Sequence, residues 1–233
     1  MDLLGDEQDQ WEALKGWLRQ NGMALVAGLL LGTIGLLGWR WWQGHQVEQA
    51  QASTTAYEAL LQSFDSPDKD AAGKAFDSFI AAHADSAYGP AARLAYARVL
   101  VERNELDKSI AQLSAVATKA ADEQLRLVAR LRLARVQLAL GKHDDALATL
   151  GTLPEGAFKS AYTEVKGDVL LAKGDQAGAL AQYQAAKAAR QSGDLGLAAQ
   201  APGREDLLAL KLHDLSAAAP AVTEAPAPAK ATP

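Results

Sequence analysis

Three stretches of different hydrophobic pattern make up the 233-residue chain. Between Gln20 and Trp39 no charged residue interrupts a run of Leu, Ile, Val, Ala and Gly. Wound into a helix, those positions reach about 30 Å, the thickness of a bilayer's hydrocarbon core. The pattern predicts a transmembrane helix over residues 21–42, preceded by a polar segment, 1–20. From 43 to 215 apolar residues recur every three or four positions between short turns, the signature of amphipathic helices packed on one another. Beyond Ser216 the chain is mostly Ala and Pro, with Val222, Thr223, Glu224, Lys230 and Thr232. It carries no large apolar residue to bury, so 216–233 is expected to be a disordered tail.

Two other readings of the apolar run fit its surroundings less well. A buried helix of a soluble protein needs an equally hydrophobic face to enclose it, and the rest of the chain offers none. A cleaved signal peptide needs small residues soon after the run, whereas Gly38-Trp39-Arg40-Trp41-Trp42 is bulky and Ala50-Gln51-Ala52 lies far downstream. Trp17 at one end and Trp39, Trp41 and Trp42 at the other stand where aromatic side chains meet lipid headgroups, and Arg40 can extend outward along its stem. Lys15 and Arg19 flank the first end, and Arg40 is the only basic side chain from there to Lys69, so the N-terminus is expected in the cytoplasm. Within the run Ala24, Gly28, Gly32 and Gly35 fall on one helix face, where a second membrane helix can approach closely. Glycine is also simply common in membrane spans. Trp11, Leu14 and Leu18 fit either an interfacial amphipathic helix or a plain extension of the anchor.

Downstream, three turns punctuate paired helices at Arg103-Asn104-Glu105-Leu106, Leu140-Gly141-Lys142-His143 and Lys173-Gly174-Asp175-Gln176. Asn104, Gly141 and Gly174 stand 37 and then 33 residues apart, close to the period of a tetratricopeptide repeat. In the last unit Gly167, Leu170, Gly174, Ala179, Tyr183 and Ala186 follow that repeat's alternation of small, large and turn residues. Ala97, Leu100, Asn104, Ser109, Leu113 and Val116 take the same slots in the first, and Ala134, Gly141, Ala146, Leu150 and Leu153 in the second. Small residues at Ala97, Ala134 and Gly167 let paired helices close on each other, and the large ones fill the groove between. A degenerate upstream pair, about 46–64 and 70–83, puts Ala75, Phe79 and Ala82 in second-helix slots after a Ser66-Pro67-Asp68 turn. A loop with Gly193, Gly196, Pro202 and Gly203, then a Leu-rich helix near 204–214, suits an end cap. The alternative is a generic antiparallel bundle. The expected fold is all-α, a single N-terminal transmembrane helix followed by a tetratricopeptide-like helical repeat array.

Composition narrows the chemistry. A formal charge of -5 leaves no basic footprint for nucleic acid. With no cysteine there is no disulfide framework, lipidated N-terminal Cys, Cys-type zinc site or thiol nucleophile. His45, His83, His143 and His213 are far apart in sequence, and Asp144 and Asp145 beside His143 suit the first turn of a helix without any metal. No nucleophile elbow, phosphate loop or dinucleotide fingerprint occurs, and no catalytic, metal or cofactor residue is assigned. What remains is a groove lined by the first helix of each pair, able to receive a peptide or a partner's helix. The Arg130, Arg132 and Arg135 cluster either borders that groove or is a solvated helix face.

The acidic opening, Asn21-Gly22, Gly38-Trp39-Arg40-x-Trp42, His45-Gln46 and Leu131-Arg132-Leu133-Ala134-Arg135-Val136-Gln137 together resemble the YfgM family of ancillary SecYEG translocon subunits. The resemblance runs from about residue 6 to about 215, and the Ala/Pro segment departs from it. It implies an inner-membrane protein of a Gram-negative bacterium, its repeat domain in the periplasm beside the SecYEG translocon and the membrane-anchored chaperone PpiD. Such a protein would help nascent secretory proteins pass to periplasmic chaperones. It implies no catalytic residue and no cofactor. An envelope scaffold for division or cell-wall machinery is the competing function. An enzyme would require a polar cleft with perturbed titratable groups.

Overall fold

In the computed structural model, which describes residues 3–66, 68–191 and 204–218, every regular element among the described residues is a helix. The expected loop at 193–203 and most of the Ala/Pro segment, 219–233, lie outside them. Contacts divide the chain into two compact units, residues 1–59 and 60–233.

The first unit is one element, α1 (Leu3–Phe64), which continues to Phe64 in the second. A separate interfacial helix before the anchor is not seen: Trp11, Leu14 and Leu18 sit on the same uninterrupted helix. No proline or capping break occurs between Leu3 and Phe64, and each backbone N–H can keep its partner one turn back. Met23 is 86 % and Leu29 74 % exposed, so nothing in this unit covers the apolar run. It is the one helix among the described residues long and apolar enough to cross a membrane. Thr33 donates its hydroxyl to the Leu29 carbonyl at 2.8 Å, hiding a polar group within the helix's own ladder. At the far end Trp39 packs against Trp42 with centroids 5.4 Å apart, and Trp41 stacks on His45 at 5.9 Å.

The second unit holds α2 (Lys69–His83), α3 (Gly89–Glu102), α4 (Leu106–Lys119), α5 (Glu123–Ala139), α6 (His143–Leu150), α7 (Lys159–Ala172), α8 (Gln176–Gln191) and α9 (Arg204–Ala218). Local chemistry sets several ends. Asp68 caps α2 by accepting from the Asp70 amide at 2.9 Å, and Asp122 caps α5 by accepting from the Gln124 amide at 2.7 Å. The turns joining α3 to α4, α5 to α6 and α7 to α8 are built alike. Asn104, Gly141 and Gly174 sit at φ 60°, 72° and 86°. In each turn two backbone bonds close the same motif: Asn104, Gly141 and Gly174 donate to Val101, Leu138 and Leu171, and the next residue donates to Leu100, Gln137 and Leu170.

Packing follows the same period. α3 and α4 pack as a pair, as do α5 and α6, and α7 and α8, while α3 also meets α5 and α5 meets α7. One core cluster joins α3, α4 and α5 through Leu94, Leu113, Val116, Leu133 and Val136. A second joins α5, α6 and α7 through Leu131, Leu150, Tyr162, Val165 and Val169. Each pair therefore buries its apolar face on its sequence neighbours, as stacked repeats do. α6 is short because Gly151, at φ 55°, ends it, and Leu153 packs from the following loop. α9 runs to Ala218, past the boundary expected at 215, and seals the last pair with Leu208 against Ala179, Tyr183 and Ala186.

The upstream pair departs from the expected register. Phe79 is buried, but Ala82 is exposed, and Ala72 and Phe76 take the burial instead. The reason is aromatic packing: Phe76 stacks on Tyr96 of α3 with centroids 4.2 Å apart, and Phe64 approaches the same ring at 6.0 Å.

Candidate functional site

The small residues of the repeat slots lie inside. Ala97, Leu100, Ala134, Ala146, Gly167, Ala179, Tyr183 and Ala186 are all buried. Gly167 is the closest approach among them: a Cβ there would stand 2.6 Å from Tyr183 Cε1 and 3.3 Å from Gln182 Cβ. On α1, by contrast, Gly28, Gly32 and Gly35 have open space where a Cβ would point, and Ala24 is exposed on the same helix. The two sets of small residues thus do different work, one closing helices within the chain and the other left open.

Between α3 and α5 the packed layers leave a cleft of about 380 Å³. Its apolar lining is Leu94, Ala97 and Val101 from α3, Leu113 from α4 and Val136 from α5. Val101 is 41 % exposed although it sits in an apolar surface. Arg98 and Glu102 edge it on α3, Arg132 and Arg135 on α5. Arg98 donates to Glu102 at 2.7 Å along its own helix. Partial desolvation by its neighbours, and then the like charge of Arg98, hold the exposed Arg132 guanidinium below the usual arginine range. Of the arginine cluster seen in the sequence, Arg132 and Arg135 line the cleft and Arg130 does not. Val101 and the Arg98–Glu102 pair went unremarked at that level, although the i, i+4 charge spacing was legible.

A polar network joins the last pair to α9. Glu164 and Arg190 side chains, each only 8 % exposed, meet at 2.6 Å, and Arg190 also donates to the Ser160 hydroxyl at 3.0 Å. Lys211 of α9 reaches Glu164 at 3.0 Å and Asp168 at 2.6 Å. The Tyr183 hydroxyl donates to Asp168 at 2.7 Å. Burial, with that bond to a carboxylate, pushes the Tyr183 phenol far up. Two carboxylates one turn apart on α7 are thus matched by cations from α8 and α9, a fully bonded set of the kind that can persist inside a protein. Lys166-Gly167-Asp168 therefore serves packing and this network.

The histidines do not come together. His45 contacts Gln49, His83 lies against Phe79, His143 is half-buried, and exposed His213 is 3.7 Å from Asp214. Asp144 pairs with Lys173 across consecutive repeats, which lowers its carboxyl. Lys142 pairs with Asp107 at 3.2 Å one unit earlier. Among the described residues no three His, Asp or Glu side chains are placed to hold a metal ion.

Paired helices with repeated turns, behind an apolar N-terminal helix, define a tetratricopeptide-like repeat protein with a membrane-spanning class of anchor. The profile for the tetratricopeptide repeat-like domain matches residues 15–217. A relative from Escherichia coli (strain K12), named ancillary SecYEG translocon subunit, is 34 % identical over 218 residues, covering 93 % of this chain and 100 % of its own length. A protein of the same name from Haemophilus influenzae is 32 % identical over 182 residues, 78 % of this chain and 89 % of its own. Another from Neisseria gonorrhoeae is 28 % identical over 186 residues, 76 % and 86 % of the two chains. The chain belongs to the family of ancillary SecYEG translocon subunits. No solved structure matches it. This is a family of translocon accessory subunits and not of enzymes.

Proposed function

We propose that the protein is an ancillary subunit of the SecYEG translocon in the inner membrane, and that its repeats bind partners and help hand secreted proteins to periplasmic chaperones. The observation that carries this reading is similarity running through both the apolar helix and the repeats of a relative that bears that name. In this reading residues 1–20 are cytoplasmic, 21–42 cross the membrane and 43–215 form the periplasmic repeat domain. The bias of Lys15 and Arg19 toward the first end of the span supports the orientation. Partners are SecYEG, PpiD, and the nascent secretory proteins and chaperones that meet there. The open glycine face of Gly28, Gly32 and Gly35 with Ala24 supports docking of α1 against another membrane helix. The repeat-packing positions act only by holding the array together.

Gentle extraction of the full-length chain with its partners, compared with a chain lacking residues 1–43, tests the reading. Translocon subunits and a periplasmic chaperone should accompany only the full-length chain. Recovery of cell-wall or division proteins in their place would replace the reading with an envelope scaffold. Gly28→Leu with Gly32→Leu should weaken cross-linking to the membrane partner while the repeats stay folded; undiminished cross-linking would remove the glycine face from the account. Because the chain has no cysteine, a single one placed in the segment before the anchor or at Asp145 reports the side of the membrane directly. Labelling of intact spheroplasts by an impermeant maleimide at Asp145→Cys alone fits the proposed orientation, and labelling of the N-terminal site alone reverses it.

A further inference from the structure

On α1 the charge-free run ends at Trp39, and Arg40 is the first charged residue beyond it. On α3 an exposed cation finds a carboxylate one turn along its own helix, Arg98 meeting Glu102 at 2.7 Å. Arg40 has no such neighbour: one turn to either side stand Leu36 and Gly44, and the nearest acid along the helix is Glu48. Eight residues rise about 12 Å, two turns where side-chain pairing needs one. Among the described residues no ion pair engages Arg40 or Glu48. A single groove on the surface of α1 nevertheless runs past Leu36 and Trp39 to Arg40, Gln43 and Gly44 and ends at Glu48. Gly44 has open space where a Cβ would point, so no side chain fills the stretch between the cation and the anion.

The order of groups along this groove is that of a phospholipid standing in a bilayer. From the hydrocarbon outward a lipid presents an acyl chain, a phosphate and then its headgroup; the groove presents Leu36, Arg40 and Glu48 in the same direction. A guanidinium offers paired N–H donors to a phosphate. Glu48 leans back toward Gly44, because helix side chains tilt toward the N-terminus, while Arg40 extends outward along its stem. A carboxylate just beyond a bound phosphate selects a cation with N–H groups to donate. A primary ammonium supplies them, a trimethylated one has none, and an anionic headgroup meets Glu48 as a like charge.

We propose that this groove is a binding site for phosphatidylethanolamine, with its phosphate on Arg40, its ammonium on Glu48 across the gap at Gly44, and an acyl chain along Leu36. This rests on the reading of α1 as membrane-spanning and specifies the lipid that the far end of the span recognises.

The full-length chain in detergent is titrated with dioleoyl phosphatidylethanolamine, phosphatidylcholine or phosphatidylglycerol, and the lipid retained is counted by native mass spectrometry. Wild type should retain the ethanolamine lipid about tenfold more tightly than either of the others. Glu48→Gln should erase that preference, and Glu48→Lys should turn it toward phosphatidylglycerol, a reversal that general loss of lipid contact cannot produce. Arg40→Gln should weaken all three. Gly44→Glu gives Arg40 a carboxylate one turn away in open space, and should likewise release the lipid while leaving the helix intact. Equal retention of the three lipids by wild type, a wild-type preference for phosphatidylglycerol, or a selectivity unmoved by both Glu48 variants would overturn the proposal. Alkaline carbonate washing of membranes is read separately. A chain that washes off overturns the spanning reading and the site with it, whereas one that stays but shows no lipid preference overturns the site alone.

Discussion

Replacing Gly167 with alanine adds one methyl group where α7 and α8 close most tightly. That methyl would lie 2.6 Å from Tyr183 Cε1 and 2.8 Å from Cδ1, well inside van der Waals contact. Tyr183 cannot swing away freely, since its ring is fully buried and its hydroxyl is held by Asp168 at 2.7 Å. Asp168 is in turn held by Lys211 at 2.6 Å, so a retreating ring strains the contact with α9 as well. Overpacking of this kind costs about 1 to 3 kcal/mol. Alanine is the better helix former in a helix interior by about 1 kcal/mol, which offsets part of that. The net expectation for Gly167→Ala is a loss of about 1 kcal/mol, lowering the melting temperature by about 2 to 4 °C in a domain of this size. Gly167→Leu, with far more volume to place, should lose about 3 kcal/mol. Thermal unfolding followed by far-ultraviolet circular dichroism on the full-length chain measures both. Tyr183→Leu, made alone and with Gly167→Ala, completes a cycle whose coupling should fall at about 0.5 to 3 kcal/mol in favour of the double variant. A rise in melting temperature for Gly167→Ala, or zero coupling, would refute the close contact and the helix register that depends on it.

Three further outcomes follow from the same packing. Glu164→Ala strips the buried Arg190 of its carboxylate and should destabilise by about 3 kcal/mol, whereas Asp144→Asn, at a solvent-exposed pair, should leave the melting temperature within error; equal effects would contradict the assigned burial. Gly174→Ala forces a side chain into φ 86° and should cost about 1 to 2 kcal/mol, while Asn104→Gly, relieving φ 60°, should be neutral or slightly stabilising by the same melting assay. Burial pushes the Tyr162 phenol up to about 12. An unfolded tyrosine titrates near about 10, so between these values the unfolded chain has lost its proton while the folded one keeps it, and stability falls as pH rises. Below that window both forms are neutral and the contribution is constant. Tyr162→Phe should therefore flatten the alkaline limb of a stability-against-pH curve; an unchanged limb would show that this phenol is not the group responsible.

Sequence alone determined the parts of this protein that local chemistry encodes. A charge-free run from Gln20 to Trp39 has only one way to satisfy its backbone in lipid, as a helix, and its length matches a bilayer. Asn104, Gly141 and Gly174 mark the three repeated turns because a left-handed backbone position selects glycine or asparagine, and the spacing between them shows the repeat. Tertiary structure alone decided which polar residues meet. Glu164, Asp168, Arg190 and Lys211 span 47 positions, and no local periodicity joins a carboxylate on α7 to a cation on α9. The shift of α2 so that Phe76 rather than Ala82 is buried has the same origin, since the Tyr96 ring that receives it belongs to another helix. The cleft beside Arg132 is likewise a property of the gap between two helices and of the residue behind it. Patterns of three and four residues specify which face of a helix is buried. The partner that buries it, and the charges brought together there, depend on contacts between segments that the chain separates by dozens of residues.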